Sequence, residues 1–393
     1  MIIFGIRAHY SAIGGVENSV RFLIKEASAR NIQVTLVCGQ ADPRERHSYD
    51  FGSSSNGVTV ITYKDDIFFS LPRRLLSILR GGVELKSRYK NLYQQHKDAI
   101  VIVRHHSHAL AAIHAGFTNV KYLVPSLVKD QLRQELKNSS WLGQLRLACH
   151  ILIDGFIQER ALKTCQIFVF SKLMRTQILE SLPHLRNGSF IKIVKPGIDA
   201  GRFSCPSATQ KLKLRKQLKL PLDKTLLLFV GRIVNAKGLD YFVSSISGMS
   251  ESYIGIIVGA GERKELLKKK IKTLGVEKRF IFTGFRADVE RYFRACDVFV
   301  MSSTYEPLGQ TIIEAASCGL PVVAFKDGQN MRTATQELNL DFTITYAKTI
   351  DSVGLRVALD SAVCRYDSID RYANSVKSQK LFSWSSLLDE LLI

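Results

Sequence analysis

Apolar residues in this chain fall in short continuous blocks, separated by longer amphipathic stretches. Residues 1–6 read as a buried strand, followed by a Gly14-Gly15 turn. An amphipathic helix over 16–29 comes next, then a strand over 32–38. Later blocks of strand length are 100–103, 122–124, 167–170 and 190–194. Continuous rather than alternating apolar runs predict strands buried on both faces, and intervening helices predict a parallel sheet. The pattern breaks at Pro196-Gly197-Ile198-Asp199, and a polar stretch runs to Asp223. It then restarts with strands at 225–230, 254–258, 279–282, 298–301 and 322–325. Helices are predicted between them at 239–246, 262–274, 288–295 and 308–318. The expectation is an α/β chain of two doubly wound, Rossmann-like halves, with the first ending at 197. Residues 327–345 give no readable pattern.

Composition supports this picture. With 393 residues the chain exceeds what one core usually fills, and 46% hydrophobic with 23% charged residues excludes disorder. Its longest apolar runs are far short of the ~20 residues a membrane-spanning helix needs. The first six residues are apolar, but Arg7 follows with no basic leader and no cleavage site, which argues against secretion. Seven scattered cysteines without C-x-x-C pairing read as free thiols in a reducing cytoplasm.

Charge changes the picture more. The formal net charge is +20. That implies nucleic acid, an anionic membrane surface or a phosphorylated ligand as partner, or simply a soluble basic enzyme; charge alone does not choose. Residues 1–200 carry +12 and the remainder +8. Between 70 and 97 stand Arg73, Arg74, Arg80, Lys86, Arg88, Lys90 and Lys97, against Glu84 alone. Phe68, Phe69, Leu71, Leu75, Leu76, Ile78 and Leu79 crowd its start. Such a stretch suits an interfacial helix on anionic lipid, and equally a core-facing helix with a solvated basic side.

Four segments carry candidate chemistry, each at the predicted carboxyl end of a strand. Gly231 to Gly238 holds Arg232 and Lys237, a guanidinium fork and a point charge suited to a diphosphate. Gly259-Ala260-Gly261 is a short glycine turn before a helix. Phe282-Thr283-Gly284-Phe285 places a ring or a backbone group where a nucleobase could lie. Glu306-Pro307-Leu308-Gly309, with Glu314 further on, puts two carboxylates around a helix start whose free N–H groups form an anion site. Glu314 would lie about 7–8 Å along that helix from Gly309, at ~1.5 Å per residue. Open α/β sheets bind ligands at this edge. In the first half, His105, His106 and His108 follow a strand, on a loop and without zinc spacing. Lys211, Lys213, Arg215, Lys216 and Lys219 read as a solvated helix face.

Taken in order, these segments resemble the large family of retaining glycosyltransferases with the GT-B fold, glycosyltransferase family four type, which builds bacterial surface glycans among other products. The resemblance rests on G-R-x-x-x-x-K-G at Gly231, the two glycine turns, and E-x7-E from Glu306 to Glu314, followed by Ala315 to Val323. It extends to Gly197-Ile198-Asp199 with Arg202-Phe203, to Gly14-Gly15-Val16-Glu17, and to Phe382-Ser383-Trp384. It implies an N-terminal acceptor-side domain over 1–197, completed by a C-terminal helix of about 378–393. It also implies a nucleotide-sugar domain over 198–377, and a cleft between the two.

The resemblance implies roles too. Arg232 and Lys237 bind the donor diphosphate, Glu314 the ribose hydroxyls, and Glu306 the transferred sugar. Backbone groups of Leu308 and Gly309 meet phosphate, Gly259, Gly261 and Phe285 line the donor site, and Gly15 lines the cleft from the other domain. His105, or His106 after a one-residue slip, reaches sugar and acceptor. No metal or cofactor is implied, and Asp65-Asp66 lacks the Asp-x-Asp spacing of a metal site. The usual Gly-Gly-x-x-Glu is absent, and Gly328-Gln329-Asn330 stands instead.

The expected activity is metal-independent glycosyl transfer from a nucleoside-diphosphate sugar to a surface-glycan or glycolipid acceptor such as lipopolysaccharide or capsule. The expected location is cytoplasmic, peripheral on the inner membrane face. An epimerase or phosphorylase on the same fold is the alternative. A nucleic-acid binder is disfavoured, since no recognition helix, RNA-binding aromatic signature or zinc module is present.

Overall fold

The computed structural model describes residues 1–9, 15–40, 57–63, 71–129, 141–183, 185, 191–328 and 331–393. Only the backbone is described over 71–81 and most of 141–151. Gly14, Asp65, Asp66, Phe68, Phe69, Ser70, Phe190, Gln329 and Asn330 lie outside the described residues, as do the side chains of Leu71, Arg73, Arg74, Leu75, Leu76, Ile78, Leu79 and Arg80. Two compact units form, one from Met1–Gly197 with Trp384–Ile393, the other from Ile198–Ser383.

The first unit holds strands β1 (Ile2–Ile6), β2 (Val34–Gly39), β3 (Val58–Tyr63), β4 (Ile100–Val103), β5 (Val120–Leu123), β6 (Gln166–Val169) and β7 (Ile191–Ile193). They make one parallel sheet in the order β3-β2-β1-β4-β5-β6-β7. Every residue of β1 is buried, as a central strand covered on both faces requires. Helices α1 (Gly15–Ala29), α2 (Leu71–Gln95), α3 (His106–Ala115), α4 (Trp141–Thr164) and α5 (Lys172–Ser181) supply the crossovers. In α1, Val20, Leu23, Ile24 and Ala27 recur at helical spacing and are buried. A closing helix, Trp384–Leu392, packs Leu387, Leu388 and Leu391 into the same core cluster. Trp384 stacks on Phe22 with ring centroids 5.3 Å apart, a packing contact.

The second unit repeats the design. Helix α6 (Ala208–Gln217) leads into β8 (Thr225–Val230), α7 (Leu239–Ser247), β9 (Tyr253–Val258), α8 (Lys264–Thr273), β10 (Phe280–Gly284) and α9 (Val289–Ala295). There follow β11 (Val298–Met301), β12 (Tyr305–Glu306), α10 (Gln310–Ser317), β13 (Val322–Ala324), β14 (Arg332–Thr333), β15 (Ile344–Tyr346), α11 (Ser352–Cys364) and α12 (Arg371–Leu381). The main sheet runs β10-β9-β8-β11-β13-β15, all parallel, and β12 pairs with β14 in a short ribbon. Strand order reverses between β8 and β11 here, and between β1 and β4 in the first unit. Each reversal opens a crevice at the carboxyl ends of the strands.

Two details differ from the sequence reading. The second unit runs through Ser383, so α12 belongs to it and only Trp384 onward returns to the first. Helix α12 is tied down where it lies. Ser375 Oγ donates to the Ser317 carbonyl, and Gln379 Nε2 donates to the Phe203 carbonyl at 2.9 Å. The basic stretch at α6 is solvated only at Lys213, Lys216 and Lys219, not at Lys211 and Arg215. Lys211 Nζ meets Asp297 Oδ1 at 2.6 Å, and Arg215 Nη2 meets Asp297 Oδ2 at 2.5 Å. Arg215 further donates to the carbonyls of Ala295 and Lys224, while Asp297 accepts the Leu226 N–H at 2.7 Å. A buried and a half-buried cation thus share one carboxylate at the start of β8.

Asp297→Ala strands both cations and one strand amide. Breaking a buried pair on one side costs about 3–5 kcal/mol. The variant is expected to unfold at clearly lower urea concentration, while Lys213→Ala, on the exposed side of α6, leaves the midpoint unchanged.

Candidate active site

The carboxyl edge of the second sheet is built around residues 231–238. Gly231 N–H extends the ladder to the Val258 carbonyl at 3.0 Å, and Ile233 N–H donates to the Ala260 carbonyl at 2.9 Å. From the other side, Thr304 N–H donates to the Ala236 carbonyl and Ser302 Oγ to the Lys237 carbonyl, both at 2.9 Å. The segment is therefore fastened to the ends of both β9 and β11. These contacts explain two glycines. A Cβ on Gly259 would stand 1.9 Å from the Gly231 carbonyl oxygen, and one on Gly261 would stand 2.3 Å from that of Ile233. Gly259 and Gly261 thus permit backbone to meet backbone, a packing role beside the donor-lining one read from sequence.

This fastening brings Lys237 to Glu306. Lys237 Nζ lies 2.5 Å from Glu306 Oε2, and Glu306 Oε1 accepts the Gly309 N–H at 3.1 Å. Glu306 is buried, so both carboxylate oxygens are satisfied in a poorly hydrated place. Gly309 caps α10 at φ 82°, a left-handed conformation that side chains strain to adopt. Leu308, half-buried, precedes it. Arg232 is exposed on the same loop, and its guanidinium has no ion-pair partner among the described residues. Phe285 follows β10 and is exposed.

Glu314 lies further along α10, half-buried. Burial raises its carboxyl pKa to about 8. Arg202 opposes the shift and Glu290 adds to it. Arg202 and Glu290 themselves pair at 2.5 Å.

In the first unit, Gly15 opens α1 and is exposed. The three histidines start a helix and do not sit on a loop. His105 is the N-cap of α3, its Nδ1 accepting the Ser107 N–H at 3.3 Å. His108 is fully buried, with the Tyr63 hydroxyl on Nε2 and the Tyr89 hydroxyl on Nδ1, each at 3.0 Å. Burial pushes its pKa down to about 3, so it stays a neutral core histidine. His106 is buried 3.6 Å from Asp154 Oδ1, and Arg7 lies 3.7 Å from Asp154 Oδ2. Of the three, His105 alone is partly exposed. Burial first, then His106 and Arg7, holds its pKa well below the usual range.

Asp154 and Arg7 were not singled out from sequence. Asp154 sits mid-helix on α4, far along the chain, and nothing local marks it. Arg7 directly follows β1, and the β1–β4 register sets it beside His105; the adjacency of the two strands would have found it.

Residues 210–339 match the family model described as Glycosyl transferases group 1. An uncharacterized glycosyltransferase of Methanocaldococcus jannaschii is 26% identical over 235 residues, 58% of this chain and 59% of that protein. The lipopolysaccharide core biosynthesis glycosyltransferase LpsE of Rhizobium meliloti is 34% identical over 125 residues, 30% of this chain and 36% of that protein. The chain thus spans well under two thirds of these relatives. Among solved structures, sucrose-phosphate synthase from Thermosynechococcus elongatus superposes with TM-score 0.76 at 17% identity, covering 100% of this chain and 97% of that one. Anabaena HepE in complex with UDP and glucose gives 0.72 at 18%, covering 100% and 98%. The fold is GT-B, and the similarity to group 1 glycosyl transferases is confined to residues 210–339 in the family match.

Proposed function

We propose that the protein transfers a sugar from a nucleoside-diphosphate sugar to a surface-glycan or glycolipid acceptor, with retention at the anomeric carbon. The observation that carries this reading is the Lys237–Glu306–Gly309 arrangement at the β8/β11 reversal, with Arg232 unpaired beside it. As the glycosidic bond to the diphosphate breaks, negative charge gathers on the leaving phosphate. Arg232, Lys237 and the start of α10 are placed to stabilise that charge without a metal, which lowers the barrier by binding the transition state more tightly. Glu306 faces the transferred sugar, Glu314 the ribose, and the ring of Phe285 the base. His105, neutral and partly exposed, serves the sugar and acceptor from the first unit. The leaving phosphate itself assists the incoming hydroxyl, so no separate general base is needed. Relatives and structural neighbours support the substrate classes. HepE was solved with UDP and glucose, and LpsE acts in lipopolysaccharide core biosynthesis.

The proposed location is peripheral, on the inner face of the membrane, and the surface of α2 supports it. Among the described residues no helix is long and apolar enough to cross a membrane. In α2, Leu85, Tyr89 and Leu92 are buried while Lys86, Arg88 and Lys90 are exposed. A basic face on a packed helix supports peripheral attachment to the anionic inner surface of the membrane.

Three outcomes test the proposal. Arg232→Ala should lower kcat/KM with a sugar nucleotide by about 100-fold or more while leaving the melting temperature unchanged, because Arg232 is exposed. Lys237→Ala should lose activity comparably and also melt lower, since it leaves the buried Glu306 carboxylate without its countercharge. Near-normal turnover in either variant would remove the phosphate assignment.

Glu314 gives a pH signature. Its carboxyl titrates near 4.5 when unfolded and about 8 when folded. Its contribution to stability is therefore full below about pH 4.5 and lost as pH rises towards 8. Glu314→Gln cannot ionise, so its melting temperature should fall less than wild type between pH 5 and pH 8.5. Equal falls would show that burial does not hold the carboxyl protonated. Finally, the protein should sediment with anionic vesicles and not with neutral ones; equal partitioning would defeat the membrane assignment.

A further inference from the structure

Helix α8 and the turn that follows it are strongly basic. Residues 263–279 carry eight lysines and arginines against Glu265 and Glu277. Four of these cations are occupied within the fold. Arg263 and Lys270 reach Asp240 at 3.3 and 3.4 Å, and Arg279 donates to the Met249 and Ser250 carbonyls at 2.9 and 2.7 Å. Lys268 pairs with Glu265 at 3.1 Å on the surface. Lys264, Lys269, Lys272 and Lys278 have no ion-pair partner among the described residues, and the last three are exposed.

Helical spacing gathers the free cations on one side. Leu267 and Ile271 are buried, which turns the opposite side of α8 to solvent. Residues three and four apart are surface neighbours, so Leu266, Lys269, Lys272 and Lys268 follow one another across that outward side. Lys264, Lys268 and Lys272 stand four apart, a row of like charges that weakens the helix by itself. An anionic surface laid against the row removes that repulsion. Two leucines accompany the lysines: Leu266 is 60% exposed, and Leu274, at the end of α8, is 41% exposed. On a lipid surface the ammonium groups meet phosphates while the leucines enter the apolar boundary beneath them. A nucleic-acid backbone would satisfy the lysines and leave the leucines in water.

We infer that the outward face of α8 docks on the anionic surface of a phospholipid bilayer. This gives the second unit a membrane contact of its own, in addition to the one assigned to α2 in the first. It stands on the side chains of α8 alone, so either assignment can fail without the other.

The test is sedimentation of the full chain with vesicles of phosphatidylglycerol and phosphatidylcholine, with pure phosphatidylcholine vesicles as control. Lys269→Glu/Lys272→Glu should lower the partition coefficient on anionic vesicles about tenfold or more. Leu266→Ser should lower it about threefold or more at unchanged net charge. All three side chains are exposed, so both proteins should melt where wild type does. Lys213→Glu/Lys216→Glu, on the exposed side of α6, makes the same change in net charge and should have little effect. An unchanged partition coefficient in either α8 variant overturns the inference, and so does an equal loss in the α6 control, which would show a bulk-charge effect.

Lys86→Glu/Lys90→Glu on α2 separates the two surfaces. Loss of binding there with none in the α8 lysine variant overturns the inference and keeps the α2 assignment; the reverse pattern does the opposite. Absence of wild-type binding to anionic vesicles overturns both. Duplex DNA binding that Lys269→Glu/Lys272→Glu removes, with vesicle binding intact, would make nucleic acid the occupant and also overturn the inference.

Discussion

The contact between Lys237 and Glu306 is the constraint around which the second unit is organised. The two residues lie on different connections, one after β8 and one after β11, and meet only because strand order reverses between those strands. Backbone bonds from Thr304 and Ser302 set the spacing, and the side chains then pair at 2.5 Å. Neither charge could be left alone there. Glu306 is buried, and without Lys237 and the Gly309 amide both its carboxylate oxygens would lose their partners. The pair therefore holds an ammonium and a carboxylate oriented and partly dehydrated. Under the proposed function, a phosphate arriving at Lys237 exchanges one anionic partner for another, so the ammonium is not desolvated a second time.

The first unit uses the same topology for a different electrostatic purpose. Two of its three clustered histidines, His105 and His108, are held neutral by burial. His108 is locked between two tyrosine hydroxyls, and burial keeps His105 from protonating. Arg7 adds a nearby positive charge that makes protonation less favourable still. Under the proposed function, His105 would therefore meet a ligand as an uncharged donor or acceptor.

Strong periodicity made most of the fold legible. The continuous apolar strands β1, β8, β9 and β11 were read close to their observed limits, because central parallel strands are apolar on both faces. Strand β3 was missed since it is an edge strand, and its Val-Thr alternation leaves much of it exposed. Strands β12, β14 and β15 are two or three residues long, too short for any period to show. The order of the candidate segments along the sheet edge was legible because each follows a strong strand. Pairing was not, since Lys237 with Glu306 and Asp154 with Arg7 depend on strand order, which periodicity does not reveal. Lys211 and Arg215 looked solvated because basic residues usually are, and the carboxylate that buries them lies on another element.

Arg232 and Arg104 sharpen how an unpaired arginine is to be read. Neither guanidinium has an ion-pair partner among the described residues, yet their energetics are opposite. Arg232 is exposed, so water solvates it and its lack of a partner costs almost nothing; chemistry near it has to be argued from its neighbours, Lys237 and Glu306. Arg104 is buried, so the same lack of a hydrogen-bond partner carries a desolvation cost, which Tyr122 and Glu17 offset only in part. The exposed arginine is informative through its position in a motif. The buried one is informative through its energy, and it lay in a segment where the histidines, not the arginine, drew attention in the sequence.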